Sequence, residues 1–447
     1  MKCVKVVIST MAGILFIVGA VYSQTVDPSY EVATWSQFRS SAVSFTFDDN
    51  DLNQLAVVVP MFNEYGFKLT LFTITGTATG WKDPNWTGLQ EAAAQGHEIA
   101  SHTVTHPYLN QITAENQKTE LEDSYNTIKE YIPSQTWQTI ATPYCVKGTD
   151  SLVAQYYLGA RGCSGSVEKS TPKDFFNISS IICGTEGSVK TSAHFNARVD
   201  AAVKSKGLCV FLIHGVDEDG GWSPTQSTEL RTHLDYLNAN PDKFWVATFG
   251  DAIRYIKERD AASVTETSVT DTEITCEVAD TLDNEIFSLP VSVRRVMPEG
   301  WGAAVVKQND EPVEYEVVVE EGVSYIAFTV VPDSGPITLS KTASSSVEAP
   351  GSLQPSTTRL MQNYPNPFNP GTEIRYHLER AGRVDIRILN AMGQDVAVLT
   401  NGHVESGDHA VSWDGRNMSG SFVSSGIYYC QIFTEDLMDV KKMILAR

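Results

Sequence analysis

The sequence predicts an α/β protein: a distorted (β/α) barrel of seven or eight units, followed by two small β-sandwich domains. Three observations lead there. Between about Ala42 and Asp260, short apolar runs alternate with amphipathic stretches, the rhythm of a parallel sheet crossed by helices. Unusual polar residues stand at the C-terminal ends of several of those runs, on what would be one rim of a barrel. After Arg259 the rhythm gives way to period-two alternation rich in Val and Thr, as in Glu314-Tyr315-Glu316-Val317-Val318-Val319. At 447 residues, 42% hydrophobic and 10% aromatic, the chain is long enough for several domains with sizeable cores.

Taken in order, residues 1–23 read as a secretory signal. Lys2 and Lys5 form its positive end, Val6 to Val21 its apolar run, and Val21-Tyr22-Ser23 an acceptable cleavage site. The run is shorter than a comfortable membrane span, and no later stretch has the length and apolarity to cross a bilayer. The formal charge is −21, and removal of the two leader lysines makes it more negative. An acidic chain without basic clusters excludes nucleic acid and anionic lipid as partners. Of the cysteines beyond the leader, Cys145, Cys163, Cys183, Cys209, Cys276 and Cys430, an exported setting permits pairing, but no spacing selects partners. Cys209, inside Leu208-Cys209-Val210-Phe211-Leu212-Ile213, reads as a small buried hydrophobe.

Within residues 24–260, strands are expected at 42–47, 68–74, 97–101, 137–141, 160–163, 179–182, 208–213 and 244–248. Helices are expected at 51–65, 85–95, 113–131, 149–158, 192–206, 224–239 and 250–259. Thr113 is the N-cap of the longest helix, which stops before Pro133. The first strand, Ser44-Phe45-Thr46-Phe47-Asp48-Asp49, ends in adjacent carboxylates. Burying even one unpaired carboxylate is costly, so the pair needs a cation, shared protons or water; a solvated turn is the alternative. The third strand runs into His102-Thr103-Val104-Thr105-His106-Pro107, where two imidazoles and a remote Asp make a sensible divalent-metal set with an open position. Pro143-Tyr144 follow the fourth strand, and His214 ends the strand at 208–213.

These four segments, in this order, resemble the motifs of the NodB-type polysaccharide deacetylases, carbohydrate esterase family four, over roughly residues 40–260. The resemblance implies a metal-dependent deacetylase in which Asp49, His102 and His106 hold a divalent metal, with zinc favoured by two imidazoles. Asp48 would be the catalytic base and His214 the acid, and a backbone N–H near Tyr144 would help stabilise the oxyanion. The chain departs from the pattern at three places. Ala141 stands where the family usually has the arginine that orients the base, which leads to the expectation that Asp48 titrates high. Cys145 and Asn50 stand where glycine is usual. Asp174 is the candidate partner for His214. Trp222, after the His214 loop, is a candidate sugar-stacking residue, with a lid over the core as the alternative. His97, His194 and His233 are expected on the surface or at caps.

Residues 261–342 read as a β-sandwich of open role, 343–356 as a polar linker, and 357–447 as a further β module with strands at 372–378, 383–389 and 427–433. The regions before and after about 260 are expected to fold separately. Asn363-Tyr364-Pro365-Asn366-Pro367-Phe368-Asn369-Pro370, Ser425-Gly426-Ile427-Tyr428-Tyr429 and Lys441-Lys442-Met443-Ile444-Leu445 resemble type IX secretion sorting domains and the related flagellar-hook-capping Ig-like module. That implies a secreted or surface protein of a Gram-negative cell with the secretion machinery as partner. Two functions follow: a secreted hydrolase removing acetyl groups from an N-acetylglucosamine polymer or acetylated xylan, or a surface carbohydrate-binding protein with an inactive barrel.

Overall fold

The computed structural model describes residues 26–77, 80–342, 358–361, 363, 368, 371–390, 395–418, 420, 422–423, 426–434 and 438–445. The signal and linker segments expected from the sequence lie outside those residues. The chain divides into two units, Met1–Ser344 and Ser345–Arg447. No described helix is long and apolar enough to cross a membrane.

In the first unit, β1 (Tyr30–Val32) precedes the barrel strands β2 (Ser41–Asp48), β3 (Thr70–Thr73), β4 (Glu98–Ser101), β5 (Ile140–Ala141), β6 (Ala160–Arg161), β7 (Ile181–Ile182), β8 (Leu208–Ile213) and β9 (Phe244–Val246). The parallel order is β6-β5-β4-β3-β2-β8-β7. On one edge β2 pairs with β8 from Ala42–Leu208 to Phe47–Ile213. On its other edge β2 meets β9 at its start and β3 at its end. Between β6 and β7 the wall is completed by irregular chain, with Ala160 N–H donating to the Phe175 carbonyl and Gly162 N–H to that of Ile178, each at 2.8 Å. All eight residues of β2 are buried, which is why it reads as a nearly continuous apolar run. Val43, Phe45 and Phe47 face outward against Phe62, Phe195, Leu230 and Leu234, leaving the alternate positions, Thr46 and Asp48 among them, to line the barrel.

The helices α1 (Val59–Glu64), α2 (Trp86–Ala94), α3 (Ala114–Tyr131), α4 (Asp150–Val153), α5 (Ser192–Ser205), α6 (Ser227–Asn238) and α7 (Phe249–Ala261) follow the expected places. The Thr113 hydroxyl does cap α3, accepting from Asn116 N–H. The stretch expected as one helix at 51–65 instead opens with a π-helical turn, Gln54–Val58. Pro60 has no N–H to offer the Ala56 carbonyl, so the regular ladder cannot run through. His97 and His233, expected on the surface, are buried. The His233 ring sits among Phe45, Phe195 and Phe211, and its Nδ1–H donates to Asn196 Oδ1 at 2.6 Å.

The expected boundary near 260 is not a boundary of packing. The sandwich consists of β10 (Ser263–Val269), β11 (Glu273–Ala279), β12 (Val291–Val296), β13 (Ala304–Gln308), β14 (Glu311–Pro312), β15 (Tyr315–Glu320), β16 (Val323–Val330) and β17 (Ile337–Lys341). Its sheets run β1-β12-β16-β15 and β10-β11-β17-β13-β14, so one strand comes from before the barrel. Helix α7 is buried on nearly every side. Its Phe249, Ile253 and Tyr255 belong to the same core as Phe72 of the barrel and Val291 and Val293 of the sandwich. Barrel and sandwich therefore share one core.

The second unit pairs Thr372–Leu378 with Gly407–Trp413, and joins Gly382–Asn390 to Asp395–Val404 and Gly426–Phe433, with Met438–Leu445 beyond. Asp395–Val404 and Gly407–Trp413 were not expected. Its core includes Ile374, Ile386, Ile388, Trp413, Ile432 and Met443. Of the Asn363–Pro370 motif, only Asn363 and Phe368 lie among the described residues; Phe368 is buried, its ring 5.4 Å from that of Trp413.

Candidate active site

The residues singled out at the strand ends meet on one rim. Asp48 is the last residue of β2, and Asp49 turns the chain sharply away with φ +73°. Asn50 holds a left-handed conformation in place of a glycine, and its Nδ2 donates to the carbonyls of Ile74 and Lys82 at 2.9 and 3.0 Å. After β4 the chain reaches His102, and positive φ at Thr103 and His106 folds the loop so that both imidazoles point the same way. Glu120 of α3 fixes that loop, accepting from the N–H groups of Val104 and Thr105 at 2.8 and 2.9 Å.

Asp49, His102 and His106 are all buried and form a set with metal-ligand geometry. Asp49 Oδ1 lies 3.4 Å from His102 Nε2 and 3.5 Å from His106 Nε2, and the two Nε2 atoms are 3.1 Å apart. A tetrahedral cation with ligand bonds of about 2.0–2.1 Å has ligand–ligand edges of about 3.3 Å, so this triangle fits one. The Ala141 carbonyl can only accept, so His102 Nδ1, 2.7 Å away, carries the proton and leaves the Nε2 lone pair free. Among the described residues, the buried Asp49 Oδ1 has no hydrogen-bond partner, as expected of an atom shaped for a cation. Burial opposes charge on both imidazoles. At His102 the carboxylates of Asp48 and Asp49 outweigh it and raise the pKa; at His106 burial and the His102 charge prevail, lowering it to about 4.

Asp48 has a different setting. Arg161 of β6 reaches across the barrel and grips it with two hydrogen bonds, Nη1 to Oδ1 at 2.7 Å and Nη2 to Oδ2 at 2.6 Å. Arg161 Nη1 also donates to Thr46 Oγ1, and the guanidinium lies 5.0 Å from the Phe72 ring centroid. Burial alone would raise the Asp48 carboxyl; the Arg161 charge, helped by His102, overcomes it and holds the group at about 2. This corrects the expectation of a high-titrating Asp48. Arg161 is the register partner of Ala141, so the arginine missing from position 141 is supplied one strand over. A cation in a two-residue buried strand was the available signal.

His214 follows β8, with Nε2 3.9 Å from Asp48 Oδ2 and 3.7 Å from Asp49 Oδ2. Its Nδ1 is buried and has no hydrogen-bond partner among the described residues. Asp174 is not that partner: it pairs with Lys147 at 2.6 Å, and its carboxylate also accepts from Phe176 N–H. Burial lowers the His214 pKa against the pull of both carboxylates. Tyr144 has φ +55°, its ring packs edge-on to His106 at 4.6 Å and stacks on Tyr108 at 3.8 Å. Among the described residues its N–H has no acceptor. Trp222 is half exposed and meets His214 edge-on at 4.7 Å, so it is no lid over the core.

Sequence reasoning missed more of the rim. The Trp81 ring lies 3.9 Å from that of His106. Lys82 pairs with the buried Asp51 at 2.5 Å and donates to the Asp219 carbonyl, tying the loop after β3 to the loop after β8. A disulfide joins Cys145 to Cys163, while Cys183, Cys209 and Cys276 are buried free thiols and Cys430 is buried in the core of the second unit.

Residues 36–162 match the family described as polysaccharide deacetylase, and residues 370–436 the FlgD Ig-like domain. A gellan lyase of a Bacillus species is 30% identical over 345 residues, which cover 70% of this chain and 13% of that protein. "Putative polysaccharide deacetylase YxkH" of Bacillus subtilis is 34% identical over 95 residues, covering 21% of this chain and 34% of that one. This chain thus spans a minor part of both curated relatives. Among solved structures, the Xyl-CE4 domain of a multidomain xylanase from the hindgut metagenome of Trinervitermes trinervoides aligns at 17% identity and a TM-score of 0.33, covering 47% of this chain and 89% of that one.

Proposed function

We propose that this protein is an exported hydrolase that removes acetyl groups from a glycan, either an N-acetylglucosamine polymer or acetylated xylan. The observation that carries the reading is the buried triangle of Asp49, His102 and His106 set directly beside an Asp48 locked by Arg161. Those three residues would hold a divalent cation, with zinc favoured by the two imidazoles. Such a cation supplies Lewis acidity, making a water acidic and polarising the acetyl carbonyl.

The chain's own groups do the rest. Asp48, ionised throughout the working range, takes the proton from the attacking water; the fork of Arg161 leaves its remaining lone pairs free and fixes their direction. The unpaired Tyr144 N–H donates to the oxygen that becomes negative. His214, uncharged at rest, must collect a proton before it can protonate the leaving nitrogen or oxygen, so it acts late. Trp222 on one side, and Tyr108, Tyr144 and Trp81 on the other, offer faces on which pyranose rings stack.

The resemblance of 357–447 to sorting domains, the FlgD Ig-like match and the leader-like 1–23 support export to the surface or medium of a Gram-negative cell through the type IX machinery. The competing reading, a carbohydrate-binding surface protein with an inert barrel, gives no reason for the Asp48–Arg161 grip. Acetate release from chitooligosaccharides, peptidoglycan and acetylated xylan, with and without a chelator, tests the proposal. Chelator-sensitive release from one of them is expected; binding without release from any would establish the competing reading.

A further inference from the structure

We propose that the Cys145–Cys163 disulfide is a positioning element of the active site, holding the Tyr144–Cys145 turn in a left-handed geometry that glycine would otherwise supply. The inference rests on the deacetylase reading for its kinetic part only.

Tyr144 and Cys145 are consecutive non-glycine residues with φ of +55° and +60°. Each is disfavoured for an L-residue because Cβ crowds the following carbonyl, and such pairs persist only where the surroundings impose them. Beyond the ring contacts of Tyr144 with Tyr108 and His106, local support is thin. The turn's backbone bonds are Cys145 N–H to the Thr142 carbonyl at 3.1 Å and Val146 N–H to that of Pro143 at 3.0 Å. The Tyr144 side chain is nearly half exposed. Helix α4 begins only at Asp150.

The β5–β6 ladder that carries the turn has two rungs, Ile140–Ala160 and Ala141–Arg161. The disulfide, with Cα atoms 5.7 Å apart, ties the two strands' extensions together just beyond them. What it ties is chemically specific. Ala141 orients His102 through its carbonyl, Tyr144 packs on His106 and presents its N–H, and Arg161, two residues before Cys163, holds Asp48. One covalent link thus fixes the turn that would donate to the oxyanion against the strand that aims the base. A cysteine at 145 supplies by cross-link what a glycine would supply by conformational freedom.

The test compares the native protein with Cys145→Ser/Cys163→Ser and Cys145→Gly/Cys163→Ser. Both variants lack the bridge, but only the second restores the freedom at 145, and, spared the cost of a left-handed L-residue there, it should lose less Tm. The readouts are kcat and KM on whichever of the chitooligosaccharide or acetylated xylan substrates the native protein hydrolyses, bound zinc, and amide hydrogen exchange across 141–148. The serine variant should lose roughly tenfold to a hundredfold in kcat with KM and zinc content little changed, because a misplacement of about an ångström suffices for that. Its 142–146 amides should lose protection. The glycine variant should regain most of both. Full kcat and protection in the serine variant, or a glycine variant no better than it, overturns the proposal.

If the double variants do not fold, reduction of the folded native protein replaces them. A water-soluble phosphine and one water convert the disulfide to two thiols and the phosphine oxide, and protection and kcat should fall together and return on reoxidation. Unchanged values after complete reduction also overturn it. A native protein that releases no acetate refutes the deacetylase reading, while hydrogen exchange still judges the clamp.

Discussion

Replacing Arg161 by methionine should move the pH dependence of both activity and stability in a calculable direction. In the native protein Asp48 and Arg161 are each about 2% exposed and share two short charge-assisted hydrogen bonds. Removing one member of a buried pair leaves an uncompensated charge, at a cost of about 3–5 kcal/mol. At about 1.4 kcal/mol per pKa unit, that lifts the Asp48 carboxyl from about 2 into the range of roughly 4–6. A base must be ionised, so the acid limb of kcat/KM should rise into that range in Arg161→Met, while the native limb from this group lies below it. The stability sign follows. The native Asp48 pKa is below its ordinary value of 3.8, so it contributes stability above pH 4 that is lost toward pH 2. In the variant the folded value exceeds the ordinary one, so stability falls as pH rises, and the deficit against native should be larger at pH 7 than at pH 4. Urea unfolding at the two pH values, with the rate profile, measures both. Arg161→Lys should recover charge but not the two-pronged geometry, and so only part of the activity. Because 141 and 161 are register partners, Ala141→Arg/Arg161→Ala should restore more than Arg161→Ala alone. An acid limb and a stability unchanged in Arg161→Met would refute the assignment of Arg161 as the group that tunes Asp48.

Other outcomes are equally specific. His102→Ala should abolish tight binding of zinc, measured by equilibrium dialysis; full occupancy would remove His102 from the ligand set. Asp48→Asn should keep zinc and fold yet lose at least about 10²-fold in kcat, and normal turnover would end its role as base. Burial lowers the His233 pKa to about 3, so the folded state resists protonation there and stability should fall as pH drops from 6.5 toward 3, by up to ~5 kcal/mol from this residue. His233→Phe should flatten that dependence in urea titrations. A chain ended after Asp260 should fail to give a cooperative thermal transition, since it strips the sandwich from α7, whereas one ended after Ser344 should retain it.

Much of the fold was legible because it is written in local periodicity. The eight barrel strands and seven helices lie close to where alternation of apolar runs placed them, since a strand buried on both faces must be apolar throughout and a helix must show one apolar stripe. The rim residues Asp48, Asp49, His102, Tyr144 and His214 were legible for the same reason: polar groups that end apolar runs must sit at strand ends. Other features depend on neighbours distant in the chain. The expectation of separate domains at 260 failed because β1 pairs with a strand more than 250 residues away and α7 has a second apolar face that only the sandwich covers. His233 looked like a helix-surface residue because nothing local reveals the three aromatic rings that enclose it. Six cysteines left their pairing open until the β5 and β6 extensions were brought side by side. The clearest case is the arginine beside Asp48. The sequence determined that a carboxylate would end β2 and that position 141 carried no cation to hold it. Only the register between β5 and β6 decided that Arg161 fills the gap, because strand pairing sets which side chains share a barrel interior and sequence spacing does not.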